Sequence, residues 1–255
     1  MSGLNWHYSS AKDSELSFLN RLKECPREPD PLVYAARITA ALAIRAALKI
    51  FHRFDIVGRE HLPRAGSFVL VANHTSHLDA LALLSALPLR SLHRSYPLAA
   101  RDYFGASDLR LALTTIAANV MLFDRNETGL QGLKLCRQML DERGNVLVMF
   151  PEGTRSIDGR IGVFRRGIGL LLAGTPYPVL PCYLDGTLRA WPKGSLVPRP
   201  ARIRLVIGEA RIYEGVEHND SNVLQICADL RHAVIALAPE PRAQTARAIS
   251  KEAYR

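Results

Sequence analysis

Val69-Leu70-Val71-Ala72-Asn73-His74-Thr75-Ser76-His77-Leu78-Asp79-Ala80 is the stretch on which the fold turns: an apolar run delivers a histidine into a turn, and a carboxylate follows five residues later. Ser67 to Val71 has the unbroken apolar character of a buried strand, and Leu78 to Leu87 is rich in Leu and Ala, as a helix would be. His74 therefore sits where a strand gives way to a helix. In α/β sheets ligands bind in the crevice beyond the carboxyl ends of the strands, so this position is a candidate site before any chemistry is considered.

Working outward, the same arrangement recurs. Asn119-Val120-Met121-Leu122-Phe123-Asp124-Arg125 is a short apolar run ending in an acid and a base, and Asn145 to Phe150 runs directly into Pro151-Glu152-Gly153-Thr154-Arg155-Ser156. Leu109 to Ala118 reads as a helix. Between the last two strands Leu130 to Arg143 repeats apolar residues at helical spacing (Leu133, Cys136, Leu140), and Gly144 is placed to stop it. Pro178 to Leu184 is a fourth apolar run, Arg202 to Ile207 alternates as a strand should, and Asn222 to Ala238 reads as a closing helix. Strands alternating with helices at these lengths predict an α/β fold, a mostly parallel sheet flanked by helices on both faces. We place an N-terminal helical segment at 1–54, the α/β domain at 55–238 and a basic tail at 239–255.

The totals agree with a globular chain. It has 255 residues, 48% of them apolar and 22% charged, and 33 Lys and Arg against 24 Asp and Glu leave a formal charge of +9. That balance favours polyanionic partners such as lipid headgroups or nucleic acid, without choosing between them. The four cysteines lie far apart with no Cys-x-x-Cys pair, which speaks against a zinc cluster or a disulfide framework and fits a reducing compartment. Met1 to Ser14 is polar and lacks the order of a secretory signal, so a cytoplasmic location is expected. In the Ala-rich segment Leu32 to Phe54, Arg37, Arg45 and Lys49 fall within an arc of roughly 120°. This predicts an amphipathic helix, cationic on one side, interrupted too often for an ordinary transmembrane span. It would either lie on a membrane surface with its basic side towards lipid phosphates or pack on its own domain.

Histidine is the side chain best suited to take a proton near neutral pH when a partner holds one ring nitrogen as the donor. Asp79 is the candidate partner for His74. On one continuous helix a five-residue separation turns side chains apart by about 140°, so His74 must lie in the turn and Asp79 in the first helical turn. Ser76-x-x-Asp79 also reads as a capping box, a purely structural use of the same acid that need not exclude orienting His74. His77 packs, caps or reacts. The spacing His74, His77, Asp79 differs from the His-Glu-x-x-His helix of zinc enzymes, and no metal is expected. In the third motif Gly153 allows close backbone approach, and Arg155 offers a planar fork for a phosphate; a surface turn with an ordinary salt bridge is the alternative. Glu152 is unfavourable beside a phosphate unless it accepts a hydroxyl or fixes the arginine, and Arg125 could add a second phosphate contact.

Together these blocks resemble the glycerolipid acyltransferase family, to which the 1-acylglycerol-3-phosphate acyltransferases belong. The resemblance spans roughly residues 56 to 210. The family's Asn-His-x4-Asp block is matched by Asn73, His74 and Asp79, and its Phe-Pro-Glu-Gly-Thr-Arg-Ser block is matched without change from Phe150 to Ser156. Between them a strand ending in arginine is matched by Phe123 and Arg125, and a later Val-Pro-rich strand is resembled by Pro178-Val179-Leu180-Pro181. Asn119 stands where a glycine commonly opens the second block, and Thr75 and His77 replace the Gln and aromatic residue frequent in the first. Ser76-His77 is similar to the form typical of glycerol-3-phosphate acyltransferases, whereas the short chain is closer to the lysophospholipid enzymes.

The resemblance implies transfer of a fatty acyl group from acyl-CoA or acyl carrier protein, as co-substrate and with no cofactor, to the free hydroxyl of a lysophospholipid such as 1-acylglycerol-3-phosphate, in phospholipid biosynthesis. His74 and Asp79 would be catalytic. Arg125, Glu152, Gly153, Thr154 and Arg155 would form the acceptor site, and the enzyme would associate peripherally with the membrane. Glycerol-3-phosphate or another lysolipid is the alternative acceptor. A thioester hydrolase using water is a second reading, and a nucleic-acid-binding protein, supported by charge alone, is a third from another class.

Overall fold

The computed structural model describes residues 31–100, 118–123, 129–195 and 197–239. It opens on helix α1, Pro31–His52. Pro31 stands at the first helical position, where its missing N–H is no loss, and Arg53 ends the helix by turning into the left-handed region at φ 44°. Among the described residues seven strands then build one sheet: β1 Asp55–Val57, β2 Phe68–Ala72, β3 Ser95–Ala100, β4 Met121–Phe123, β5 Val146–Met149, β6 Val179–Asp185 and β7 Arg204–Ile207. Their spatial order is β1-β7-β6-β2-β5-β3-β4. All pairings are parallel except β6 with β7, which confirms the expected mostly parallel sheet.

Helices α2 Leu78–Ala86, α3 Gly129–Asp141, α4 Arg166–Leu172, α5 Thr187–Ala190 and α6 Asp220–Ala236 complete the fold. Alternate residues of β2 feed two separate cores. Phe68, Leu70 and Ala72 pack with Ala41 of α1 and with Ala82, Leu83, Leu84 and Ala86 of α2. Val69 and Val71 face the other side, among Met139 and Leu140 of α3, Ile168 and Leu171 of α4, and Val223 and Leu230 of α6. Each such buried aliphatic side chain contributes about 1.5–3 kcal/mol, so β2 is held from both faces. The turn it delivers is correspondingly fixed.

That turn sits at a crevice the topology creates. β2 and β5 are parallel neighbours in register, with Val71 opposite Met149, so both end at the same sheet edge. The helix after β2 goes to one face and the helix after β5 goes to the other, which opens space between the two strand ends.

Four elements were not anticipated: β1, β3, α4 and α5. A correction concerns α1. Of its three basic residues only Lys49 is exposed: Arg37 is 5% exposed, and Arg45 donates from Nη2 to the carbonyl of Leu87. Arg59 Nε donates to the adjacent Ala86 carbonyl at 3.0 Å. The two arginines thus satisfy carbonyls at the end of α2, where the helix dipole favours positive charge. Facing outward instead are apolar side chains, with Leu42 51%, Ile50 70% and Phe51 62% exposed. By length and composition Pro31–His52 is also apolar enough to cross a bilayer, contrary to the expectation from its charges. The helix expected at Leu109 to Ala118 lies outside the described residues except for Ala118, as do the lead-in 1–30 and all but the first residue of the tail.

Candidate active site

Asp79 accepts three hydrogen bonds on one oxygen. His74 Nδ1 lies 2.8 Å from Oδ2, and the amides of Thr75 and Ser76 donate to the same atom at 2.6 and 2.7 Å. The amide of Leu78 in turn donates to Ser76 Oγ at 3.1 Å, which completes the capping box anticipated from sequence. His77, already in right-handed helical conformation, lies between the capping serine and α2. The two uses proposed for Asp79 therefore coincide: it caps the helix and holds the imidazole. Asp79 is fully buried, whereas the His74 side chain is 24% exposed. With Nδ1 donating to a carboxylate, Nε2 is left as the acceptor, the atom at which the ring can take up a proton.

The ring is gripped from a second direction. Phe150 stacks on His74 with centroids 4.1 Å apart and planes 19° from parallel. Backbone bonds lock the two strand ends together: Ser156 N donates to His74 O at 2.8 Å, and His74 N donates to Glu152 Oε1 at 2.9 Å. On the far side Asn73 clamps β6, its Nδ2 donating to Leu184 O at 3.1 Å and its Oδ1 accepting from Leu184 N at 2.8 Å. Asn73 is thus a staple between strand ends.

Glu152 is placed as a strut. Its second oxygen, Oε2, accepts from Gly162 N at 2.8 Å, so one buried carboxylate ties the His74 turn to the loop before α4. Burial pushes its pKa up, and the amides of Gly162 and His74 pull it back. Arg165 braces the same turn, with Nε donating to Glu152 O at 3.2 Å and its own amide donating to Pro151 O at 2.9 Å. Gly153 is required beside it. Its φ is 70°, and a Cβ there would lie 2.6 Å from Arg165 Nε.

Beyond this turn opens a cleft of about 540 Å³, lined among others by Thr154, Arg155, Asp158, Arg160 and Gly162. Thr154 and Arg155 accordingly line this cleft, while Gly153 supports the turn and Glu152 joins its walls. Arg155 Nη1 lies 2.5 Å from His77 Nε2. Arg125 lies outside the described residues. Asn119, noted as standing in for a glycine, has φ 52°, a conformation glycine adopts freely and asparagine best among other residues. Its side chain donates to the carbonyls of His93 and Ser95. Among the described residues no group of three or more His, Cys, Asp or Glu side chains is placed to hold a metal ion.

Sequence reasoning missed Phe150 as a platform for the imidazole, Arg165 as a brace and Asn73 as a staple. Only the tandem Arg165-Arg166 before an apolar run hinted at the brace, and nothing local marked the others.

Chemically, a carboxylate-held histidine beside an arginine-lined cleft can deprotonate a hydroxyl on an anionic molecule. Comparison with known proteins points the same way. A 1-acyl-sn-glycerol-3-phosphate acyltransferase of Limnanthes alba is 31% identical over 155 residues, 58% of this chain and 51% of that protein. The alpha form from Mus musculus is 26% identical over 207 residues, covering 80% and 70%. The chain spans about half the length of the first plant relatives it matches. The crystal structure of the 1-acyl-sn-glycerophosphate acyltransferase PlsC from Thermotoga maritima superposes with a TM-score of 0.60 over 82% of this chain and 81% of that one, at 21% identity, a likeness of fold. The family described as Acyltransferase matches residues 53–185, a span that holds both the His74 turn and the Phe150 to Ser156 block, and the chain belongs to that family.

Proposed function

We propose that this protein transfers a fatty acyl group from an acyl thioester, carried by coenzyme A or acyl carrier protein, to the free hydroxyl of a lysophospholipid such as 1-acylglycerol-3-phosphate, a step of phospholipid biosynthesis. The observation that carries the reading is His74, its Nδ1 held 2.8 Å from buried Asp79 and its backbone bonded to Glu152 and Ser156, which line the same cleft as Arg155. The names of the relatives support the same acceptor.

In this mechanism His74 Nε2 takes the proton of the acceptor hydroxyl as its oxygen attacks the thioester carbonyl carbon. Asp79 stabilises the imidazolium that forms. The new C–O bond forms as the C–S bond breaks, and the departing sulfur takes the proton back from His74, which leaves a free thiol and a restored base. No acyl-enzyme is needed. Arg155, with Arg125, holds the acceptor's phosphate, and Thr154 lines its path. The bare apolar side of α1, with Leu42, Ile50 and Phe51 outward, supports association with a bilayer at the cytoplasmic surface.

The test gives the purified protein radiolabelled acyl-CoA or acyl carrier protein with a panel of lysophospholipids, glycerol-3-phosphate and water alone. Labelled diacyl phospholipid is the expected product. Free fatty acid as the main product would mark a hydrolase, and a product made only from glycerol-3-phosphate would move the acceptor assignment. Binding to anionic vesicles should fall when Ile50 and Phe51 are replaced by glutamate; unchanged binding would remove α1 from the contact.

A further inference from the structure

His77 is the ionisable side chain of the turn that the mechanism leaves unused. Three observations fix its state and its neighbours. Its Nε2 lies 2.5 Å from Arg155 Nη1, and a guanidinium only donates, so Nε2 is the acceptor and the ring is neutral. Burial, the Arg155 charge and His74 hold its pKa down at about 4, against a smaller upward pull from Asp79. On another side the ring meets Trp191, with centroids 5.1 Å apart and planes tilted by 42°, and Ser76 Oγ donates to the Trp191 carbonyl at 2.7 Å. The imidazole therefore rests on Trp191, which Ser76 ties to the same turn, and this contact does not depend on a ligand.

The choice of partner has a physical consequence. A carboxylate on Arg155 would orient it and also neutralise it, which would weaken its hold on an anion. A neutral imidazole orients the guanidinium without bringing a negative charge of its own.

We propose that His77 is a positioning residue of the phosphate clamp: its Nε2 accepts a hydrogen bond from Arg155 Nη1 and so aims the guanidinium at the acceptor's phosphate without adding a negative charge beside it. This rests on the reading in which Arg155 holds that phosphate.

The test uses the whole chain, with acyl-CoA as donor and 1-acylglycerol-3-phosphate as acceptor. His77→Phe keeps a ring against Trp191 and removes the acceptor. Loss of one hydrogen bond to a charged group should raise the acceptor KM about tenfold, with kcat and the donor KM within about threefold of wild type. His77→Gln, which supplies an amide oxygen, should restore the KM to within about threefold. In an Arg155→Ala background His77→Phe should add nothing, because the two residues act as one unit.

A wild-type KM in folded His77→Phe, a fall in kcat at saturating acceptor, or additive effects with Arg155→Ala would each overturn the assignment. If His77→Phe does not fold, as read by circular dichroism, His77→Met and His77→Gln carry the same comparison. Equilibrium binding of 1-acylglycerol-3-phosphate without donor separates this idea from the acyl-transfer reading. Inactive wild type that binds the acceptor, and binds it about tenfold more weakly as His77→Phe, sinks the reaction and keeps the clamp. Active wild type whose acceptor binding ignores His77→Phe sinks the clamp alone.

Discussion

Replacing Asp79 with asparagine separates the two duties of that residue. The amide oxygen must take the place of Oδ2, because His74 Nδ1 and the amides of Thr75 and Ser76 all converge there. The new NH2 then falls at Oδ1, a buried atom with no hydrogen-bond partner, and becomes an unsatisfied donor. Three charge-assisted bonds become neutral ones at the same time. The expected loss of stability is about 2–4 kcal/mol. Catalysis should suffer separately. A carboxylate and an imidazolium roughly 4 Å apart attract by about 4 kcal/mol at an effective dielectric constant near 20, and losing that attraction in the transition state slows kcat roughly a thousandfold. The acceptor KM should change little, since neither residue grips the phosphate. Urea unfolding and steady-state kinetics at saturating donor and acceptor read the two effects. A folded variant that loses stability yet keeps kcat within tenfold of wild type would reduce Asp79 to a helix cap, and unchanged stability would refute the cap.

Two further outcomes follow from the same geometry. Asn73→Leu preserves shape but leaves both the N–H and the C=O of Leu184 unpaired in a buried place, which should cost about 2–4 kcal/mol in urea unfolding; a cost below about 1 kcal/mol would show that Asn73 is not the staple. His77 gives a pH dependence. Its folded-state pKa is about 4 against an ordinary value of 6.5, so between those values the unfolded chain binds a proton the folded chain refuses. Its contribution to stability is complete above about pH 6.5 and is lost as pH falls towards 4. Wild type should therefore lose stability faster than His77→Phe over that interval; parallel curves would contradict the lowered pKa.

The parts of this fold that sequence disclosed are those whose cause is local. An apolar run such as Val69 to Val71 carries its own evidence of burial, and Ser76 and Asp79 lie close enough in sequence for a cap to be read directly. β3 was hidden because Pro97 interrupts its apolar pattern, although parallel pairing opposite Val148 tolerates it. α4 was hidden because Gly167 and Gly169 look like a turn in a seven-residue helix. Gly169 is there for close packing, since a Cβ would lie 2.3 Å from the carbonyl of Val223. In the site, the His74 and Asp79 pairing was legible, whereas the Asn73 staple reaches a residue 111 positions away and the Glu152 strut depends on two loops meeting. Helical periodicity placed Arg37 and Arg45 on one stripe of α1. It could not say that these two turn inward while Lys49 stays exposed, because the carbonyl Arg45 caps belongs to another helix.

The central claim is that His74 is the base that activates the acceptor hydroxyl for direct attack on the thioester. Its most direct test is the turnover of His74→Ala with radiolabelled acyl-CoA and saturating 1-acylglycerol-3-phosphate, alongside binding of that acceptor. The account expects kcat to fall by a factor of about 10² to 10⁴ with acceptor binding retained and no labelled protein in wild type under quench. Turnover at the wild-type rate in His74→Ala, or a labelled acyl-enzyme that reacts on to product, would contradict it.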